Sequence, residues 1–171
     1  MLFSERLSLD RPRNEDFTRY YEINSDPQTN LFNPKGPMDF DTARTRFDGF
    51  LQHWEERDFG SWVVRLKDSG HIIGFGGLSY LMYGDQLRLN LGYRFDQAAW
   101  HKGYATELSR FAIAHGFSDL RLSEIYALVR PSHSVSIKIL EKCGLTSFGT
   151  LDDAPGQHHS LVYRIENPKA V

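Results

Sequence analysis

From Leu87 to Phe95 the chain reads LRLNLGYRF and alternates strictly. Leu87, Leu89, Leu91, Tyr93 and Phe95 share one face; Arg88, Asn90, Gly92 and Arg94 share the other. Successive side chains of a strand point to opposite faces, so the pattern demands a strand covered on one side. The next segment, DQAAWHKGYATEL, runs into a helical stripe carried by Tyr104, Leu108, Phe111 and Ala112. Any fold adopted by this chain must therefore contain a strand-to-helix turn with a histidine, a lysine and a glycine at the first turn of the helix.

The flanking segments narrow the choice. Phe17, Tyr20 and Tyr21 form a short amphipathic pattern after Asn14, a plausible N-cap. Ala43, Phe47, Phe50, Leu51 and Trp54 make a second helical stripe, with Asp41 placed to cap it. Between these helices lies SDPQTNLFNPKGPMD, Ser25 to Asp39, whose prolines and aspartates predict a long loop of the kind that serves as a lid or substrate wall. WVVRL (Trp62 to Leu66) and HIIGFGGLS (His71 to Ser79) flank the turn signal KDSG and predict a hairpin. After the Tyr104–Phe117 helix come a strand at Glu124–Val129, a helix at Ser134–Lys142 stopped by Gly144, and strands near Ser147–Thr150 and Ser160–Ile165. Antiparallel hairpins followed by alternating strands and helices imply an α/β fold of three layers, a mixed sheet with helices on both faces.

Composition excludes several functions. The 171 residues suit one domain, 1–171, and a net charge of -2 gives no basic excess for nucleic acid. Uncharged apolar runs are too short to span a membrane, and Glu5 and Arg6 interrupt any secretory apolar core. A cytoplasmic location is expected, and the lone Cys143 fits a reducing compartment. Cys143 reads as a small half-buried hydrophobe; a nucleophile would want more positive charge than Lys142 provides.

The strand-to-helix turn carries the chemistry. The first helical turn leaves backbone N–H groups without intrahelical acceptors and forms the positive end of the helix dipole. Gly103 and Ala105 let a ligand approach the backbone, and His101 and Lys102 add charge, so the segment reads as a phosphate cradle. It is not a P-loop, which needs G-x-x-x-x-G-K-[ST]. GFGGLS at Gly74 approaches the dinucleotide fingerprint but ends on Ser79 and lies within a strand pattern. There is no C-x-x-C or H-E-x-x-H, and the adjacent His158 and His159 would point opposite ways on a strand, so no metal is expected.

WHKGYATEL resembles the pyrophosphate-binding segment of the GCN5-related N-acetyltransferases (GNAT), written R/Q-x-x-G-x-G/A, with Trp100, Gly103 and Ala105 at the marked positions. Tryptophan there is typical of the branch of ribosomal-protein N-terminal acetyltransferases. SERLSLDRP from Ser4, LGYRFDQAAWHKGYATEL, and VRPSHSVSIKILEKCGL from Val129 resemble further segments of that branch, and the likeness covers Ser4 to Ile165. The resemblance implies a sheet of about six or seven strands, splayed between the fourth and fifth, with acetyl-CoA as donor. A small-molecule amine or a protein N-terminus would be the acceptor, and homodimers are common among such proteins. It implies that the backbone of Tyr93, Arg94 and Phe95 pairs with the pantetheine arm. The N–H groups of His101, Lys102, Gly103, Tyr104, Ala105 and Thr106 would hold the pyrophosphate.

The chain departs from the family pattern at several positions. Glu141 stands where many members carry a tyrosine acid, and Ser136 matches the serine that the branch uses instead; it is either the donor to the leaving thiolate or a packing serine. His133 replaces an asparagine and is a ligand contact, an acid–base group or a solvated helix start. Asn90 replaces a frequent glutamate; it can polarise a water or bond the acceptor amine but cannot take its proton. Glu107 is either a complement to the helix dipole or a base. Polyamine acceptors would want an acidic pocket, for which Asp26, Asp39, Asp41, Asp152 and Asp153 are the available carboxylates. Two functions remain: a CoA-dependent N-acetyltransferase, or a non-catalytic acyl-CoA-binding or sensing module on the same fold.

Overall fold

The computed structural model describes residues 1–170. The elements follow in the order β1 (Leu2–Phe3), β2 (Leu7–Asp10), α1 (Phe17–Ser25), α2 (Phe40–Arg57), β3 (Ser61–Leu66), β4 (Ile72–Tyr83) and β5 (Gln86–Phe95). The second half is α3 (Tyr104–Ser118), β6 (Glu124–Val129), α4 (Ser134–Lys142), β7 (Thr146–Leu151) and β8 (Ser160–Glu166). One sheet takes the strands in the order β1-β2-β3-β4-β5-β6-β8-β7, eight strands against the six or seven expected. The additional one is β1, whose two residues are too few to leave a periodic signal.

Every neighbouring pair is antiparallel except β5 and β6, where a single pair of partners, Asn90 with Tyr126, is in register. Beyond Asn90 the two strands part, and Leu91–Phe95 of β5 has no partner on the β6 side. β5 is the strand that the family pattern counts as its fourth, so the expected splay falls where it was placed.

Alternation sends the two faces of the sheet to different helices. Trp62, Val64, Leu78, Leu89, Leu91 and Phe95 pack with Leu108 and Ala112 of α3 and Leu140 of α4. Val63 and Phe75 face the other way, onto Phe17, Tyr20 and Ile23 of α1 and Ala43 and Phe47 of α2. Burial of each such side chain is worth roughly 1.5–3 kcal/mol, and this two-sided core holds the open edge of β5 rigid without a strand beside it.

Three local expectations change. Asp39, not Asp41, caps α2, its carboxylate accepting from Thr42 N–H at 2.7 Å. Leu87 is 55% exposed although it shares the apolar face, because the hairpin end of β4 and β5 extends past both helix layers. GFGG is mid-strand: a Cβ on Gly76 would come within 2.6 Å of Tyr93 Cβ, so that glycine serves close approach of β4 to β5 and binds no phosphate.

α4 ends in a complete C-terminal motif, with Gly144 N–H bonded to Glu141 O and Leu145 N–H to Leu140 O. Leu140 and Leu145 are both buried there, which fixes the end of α4 against the sheet.

Candidate active site

The turn before α3 is built to expose backbone N–H groups. His101 has φ 60° and Gly103, the N-cap, φ 79°, so the chain twice enters the left-handed region within three residues. Glu107 N–H, bonded to Gly103 O at 3.0 Å, begins the helical ladder. Among the described residues, the N–H groups from His101 to Thr106 meet no acceptor. Six donors stand at the positive end of a 15-residue helix, an arrangement whose chemistry suits an anion. Lys102 turns its ammonium back to Ala98 O at 2.9 Å and closes the turn. Trp100 also points inward, its indole N–H bonding Phe95 O at 3.1 Å and tying the turn to the end of β5.

A further cation stands at this site that the motif did not indicate. Arg6, just before β2, donates to Lys102 O at 2.8 Å and lies 4.6 Å above the Tyr104 ring. Glu107 holds it: the carboxylate accepts from Ser4 Oγ at 2.6 Å, from Arg6 N–H at 2.7 Å and from Arg6 Nε at 2.7 Å. Burial alone would raise the Glu107 pKa, but these bonds and the guanidinium charge outweigh it and hold the group below the usual carboxylate range. Glu107 thus spends its charge locking the β1–β2 loop to α3, and a role as base is not what this geometry offers.

The gap between β5 and β6 is bridged from above by hydroxyls. Tyr93 sends its ring to the α3–α4 face, and its OH lies 2.8 Å from Ser136 Oγ on α4. Burial pushes the phenol up to about 12, so it is protonated throughout the neutral range. Tyr93 thereby brings a side chain to the site, beyond the backbone role read from the sequence. Cys143 lies nearby with its Sγ 3.8 Å from Thr106 O, and burial raises its thiol, which matches the small-hydrophobe reading. Glu141, in the place of the family's tyrosine, accepts from Tyr163 OH at 3.2 Å.

Asn90 and Arg94, also expected at the site, lie on the opposite face of β5. Asn90 Oδ1 accepts from Tyr83 OH at 2.6 Å, which leaves the amide NH2 as the free end, on the side towards Gly92. Tyr83 was not singled out from the sequence; its strand extends past the expected end at Ser79, and although the register pairs Tyr83 with Gln86 and Asn90 with Ser79, the long phenol side chain reaches along the shared face to the amide. Arg94 reaches the Ser25–Asp39 loop and bonds Asn30 Oδ1. His133, at the start of α4, stacks on Phe32 of that loop with centroids 4.1 Å apart and planes 8° from parallel. Burial, then the charge of Arg94, lowers the His133 pKa, so the ring is neutral at pH 7. The loop therefore packs against Arg94 of β5 and His133 before α4. Among the described residues no three His, Cys, Asp or Glu side chains are placed to hold a metal.

The Acetyltransferase (GNAT) domain pattern matches residues 6–146. The chain belongs to the GNAT acetyltransferase family. Among its relatives, the N-acetyltransferase p20 of Bacillus licheniformis is 28% identical over 153 residues, 89% of this chain and 85% of that one. YkkB of Bacillus subtilis is 28% identical over 98 residues, so the chain spans 54% of itself but only 57% of that relative. The ribosomal-protein-S5-alanine acetyltransferase of Vibrio fischeri superposes with a TM-score of 0.76 at 19% identity, covering 98% of this chain and 97% of that one. That likeness shows a shared fold. Family membership supports N-acetyl transfer from acetyl-CoA as the class of activity.

Proposed function

We propose that the GNAT chain transfers the acetyl group of acetyl-CoA to a primary amine by direct attack within a ternary complex. The observation that carries this reading is the run of free N–H groups from His101 to Thr106, set beside the unpaired edge of β5. The thioester supplies an activated acyl carbon and a thiolate leaving group. The His101–Thr106 N–H groups and Arg6 would hold the diphosphate, and the open backbone of Leu91–Phe95 would pair with the amide-bearing arm. Fixing both reactants in this way is worth roughly 7–11 kcal/mol of barrier.

Tyr93 and Ser136 then face the leaving sulfur. A phenol at about 12 gives up its proton to an alkyl thiolate only uphill, by roughly 5 kcal/mol against a thiol near 8.5. The pair therefore stabilises the thiolate by hydrogen bonding, and the proton that finally reaches sulfur is the one the amine sheds. On the acceptor side the Asn90 NH2 group donates, orienting the amine or the carbonyl oxygen, and neutral His133 leaves a ring nitrogen able to receive a proton.

The test is CoA release from the full-length protein over a panel of amines and N-terminal peptides. Acetylated product confirmed by mass is the expected result. The second reading, a CoA-binding module without turnover, is favoured by the engagement of Asn90 Oδ1 with Tyr83 and by the lack of a carboxylate at that place. CoA binding with no transfer to any member of the panel would establish it.

A further inference from the structure

A cavity of about 260 Å³ opens near the C-terminal end of α3, between that helix, β2, β3 and the end of α2. Its wall is aromatic: Trp54 of α2, Phe59 just after α2, Trp62 of β3 and His115 of α3. Two carboxylates share the lining, Asp10 at the end of β2 and Asp58 after α2. A 15-residue helix is about 22 Å long, so this cavity and the His101–Thr106 donors stand at opposite ends of α3.

The rings are fixed by contacts of their own. Trp54 donates its indole N–H to Ser61 O at 2.8 Å and packs over Gly60, where a Cβ would come within 2.8 Å of the ring. Trp62 lies against Phe111 and His115, with ring centroids 5.9 and 5.7 Å away. His115 is held in turn by Asp119, whose carboxylate lies 2.6 Å from Nδ1. An aromatic face carries the negative part of the ring quadrupole, so fixed rings beside a carboxylate favour a cation. Arg11, the one arginine or lysine in the lining, is paired with Glu55 and lies 5.9 Å from the Trp54 centroid, at the limit of a cation–π contact. Asp10 accepts from Arg11 N–H at 2.9 Å and has the Met1 ammonium 3.9 Å away. Asp58 has no ion-pair partner among the described residues.

We propose that this cavity is a second binding site, for a small organic cation whose apolar body contacts the Trp54, Phe59 and Trp62 rings and whose charge faces Asp58. It stands apart from the acetyl-transfer centre and needs none of that centre's residues. The volume falls just under the range of roughly 300–1,000 Å³ typical of drug-sized ligands, which suits a compact ammonium with one apolar group. An anion would meet two carboxylates there, and an uncharged apolar molecule would leave Asp58 without a partner.

The probe is benzyltrimethylammonium, which carries a charge and a ring but no N–H to acetylate. It is titrated calorimetrically into the full-length protein, with benzyl alcohol as the uncharged comparison. The cation should bind at one site, at least about tenfold more tightly than the alcohol, and should change the tryptophan emission. Asp58 has φ 60°, a left-handed backbone that asparagine also tolerates, so Asp58→Asn removes the charge without endangering the fold. Affinity for the probe should fall about three- to fivefold in that variant. Trp54→Leu should lower it by about tenfold or more, with a melting curve to show that the protein still folds. Saturation with CoA, and Asn90→Ala on β5, should leave the affinity unchanged. No binding of the probe, equal binding of the alcohol, or an Asp58→Asn affinity equal to that of the parent overturns the proposal. Weaker binding in the presence of CoA or in Asn90→Ala also overturns it, by placing the probe at the acetyl-transfer centre.

Discussion

The Tyr93 hydroxyl lies 2.8 Å from Ser136 Oγ and joins the free end of β5 to α4 across the gap in the sheet. If this pair receives the thiolate, one hydroxyl proton joins the two oxygens and the other is donated to sulfur, a hydrogen bond to a charged atom worth about 1.5–3 kcal/mol. Tyr93→Phe and Ser136→Ala should each lower kcat by about 10–100-fold. The double variant should fall little further, because the two hydroxyls act as one unit. Acetyl-CoA affinity, read by calorimetry, should hardly change. A kcat of Tyr93→Phe equal to that of the parent would remove the pair from the chemistry.

Gly103 sits at φ 79° with its N–H in the donor run, and a Cβ there would reach 3.4 Å from Arg6 Nη2. Alanine fits that space but not the left-handed backbone, so Gly103→Ala should cost about 1 kcal/mol of stability and weaken acetyl-CoA binding modestly. Gly103→Glu adds a negative charge at the diphosphate position and should abolish measurable binding. The contrast between the two, read by titration calorimetry beside a melting curve, separates loss of the site from loss of the fold.

Glu107 and Arg6 give a pH prediction. The folded carboxylate has its pKa below the ordinary 4.5, so its contribution to stability is full above that value and disappears as pH falls through the lower, folded one. Glu107→Gln keeps the size but loses the charge. Its melting temperature should fall by about 4–8 °C at pH 7, for a loss of about 2 kcal/mol, and the gap to the parent should narrow on acidification below pH 4.5. A gap that is constant from pH 7 to pH 3 would show that the charge on Glu107 contributes nothing.

The parts of this molecule that local chemistry dictates could be read in the sequence. The strand Glu124–Val129 and the helix Ser134–Lys142 agree with their expected limits, because a turn signal or a cap stands at each end. The donor run at His101–Thr106 was legible for the same reason: it depends on one glycine and one helix start. Alternation showed which residues share a face of β5 but not what that face meets. It placed Arg94 opposite Tyr93 without revealing that Asn30, Arg46 and His133 surround it. The clamp of Glu107 on Arg6 joins residues 101 positions apart, and no periodicity carries that information. Asp41 was read as the cap of α2, and only the bond from Thr42 N–H assigns that role to Asp39.

Tyr83 decides what Asn90 can do. With Oδ1 occupied by the phenol, the amide presents hydrogen-bond donors towards Gly92 and the splayed end of β5. Tyr83 is buried at 5% exposure, and burial raises its pKa, so the phenol keeps its proton and the amide keeps its orientation across the neutral range. Tyr83→Phe removes that constraint. The amide can then rotate and present its oxygen for part of the time, so kcat/KM for the amine should fall by about 3–10-fold while binding of acetyl-CoA is unchanged. Asn90→Ala should cost more, about 10–100-fold, since no donor remains. Asn90→Asp supplies a carboxylate but places it against the buried Tyr83 ring system. Its activity should rise with pH as the acid ionises, a profile that the parent lacks if Asn90 only donates. Loss of activity in Tyr83→Phe equal to that in Asn90→Ala would instead place the phenol itself in contact with the substrate.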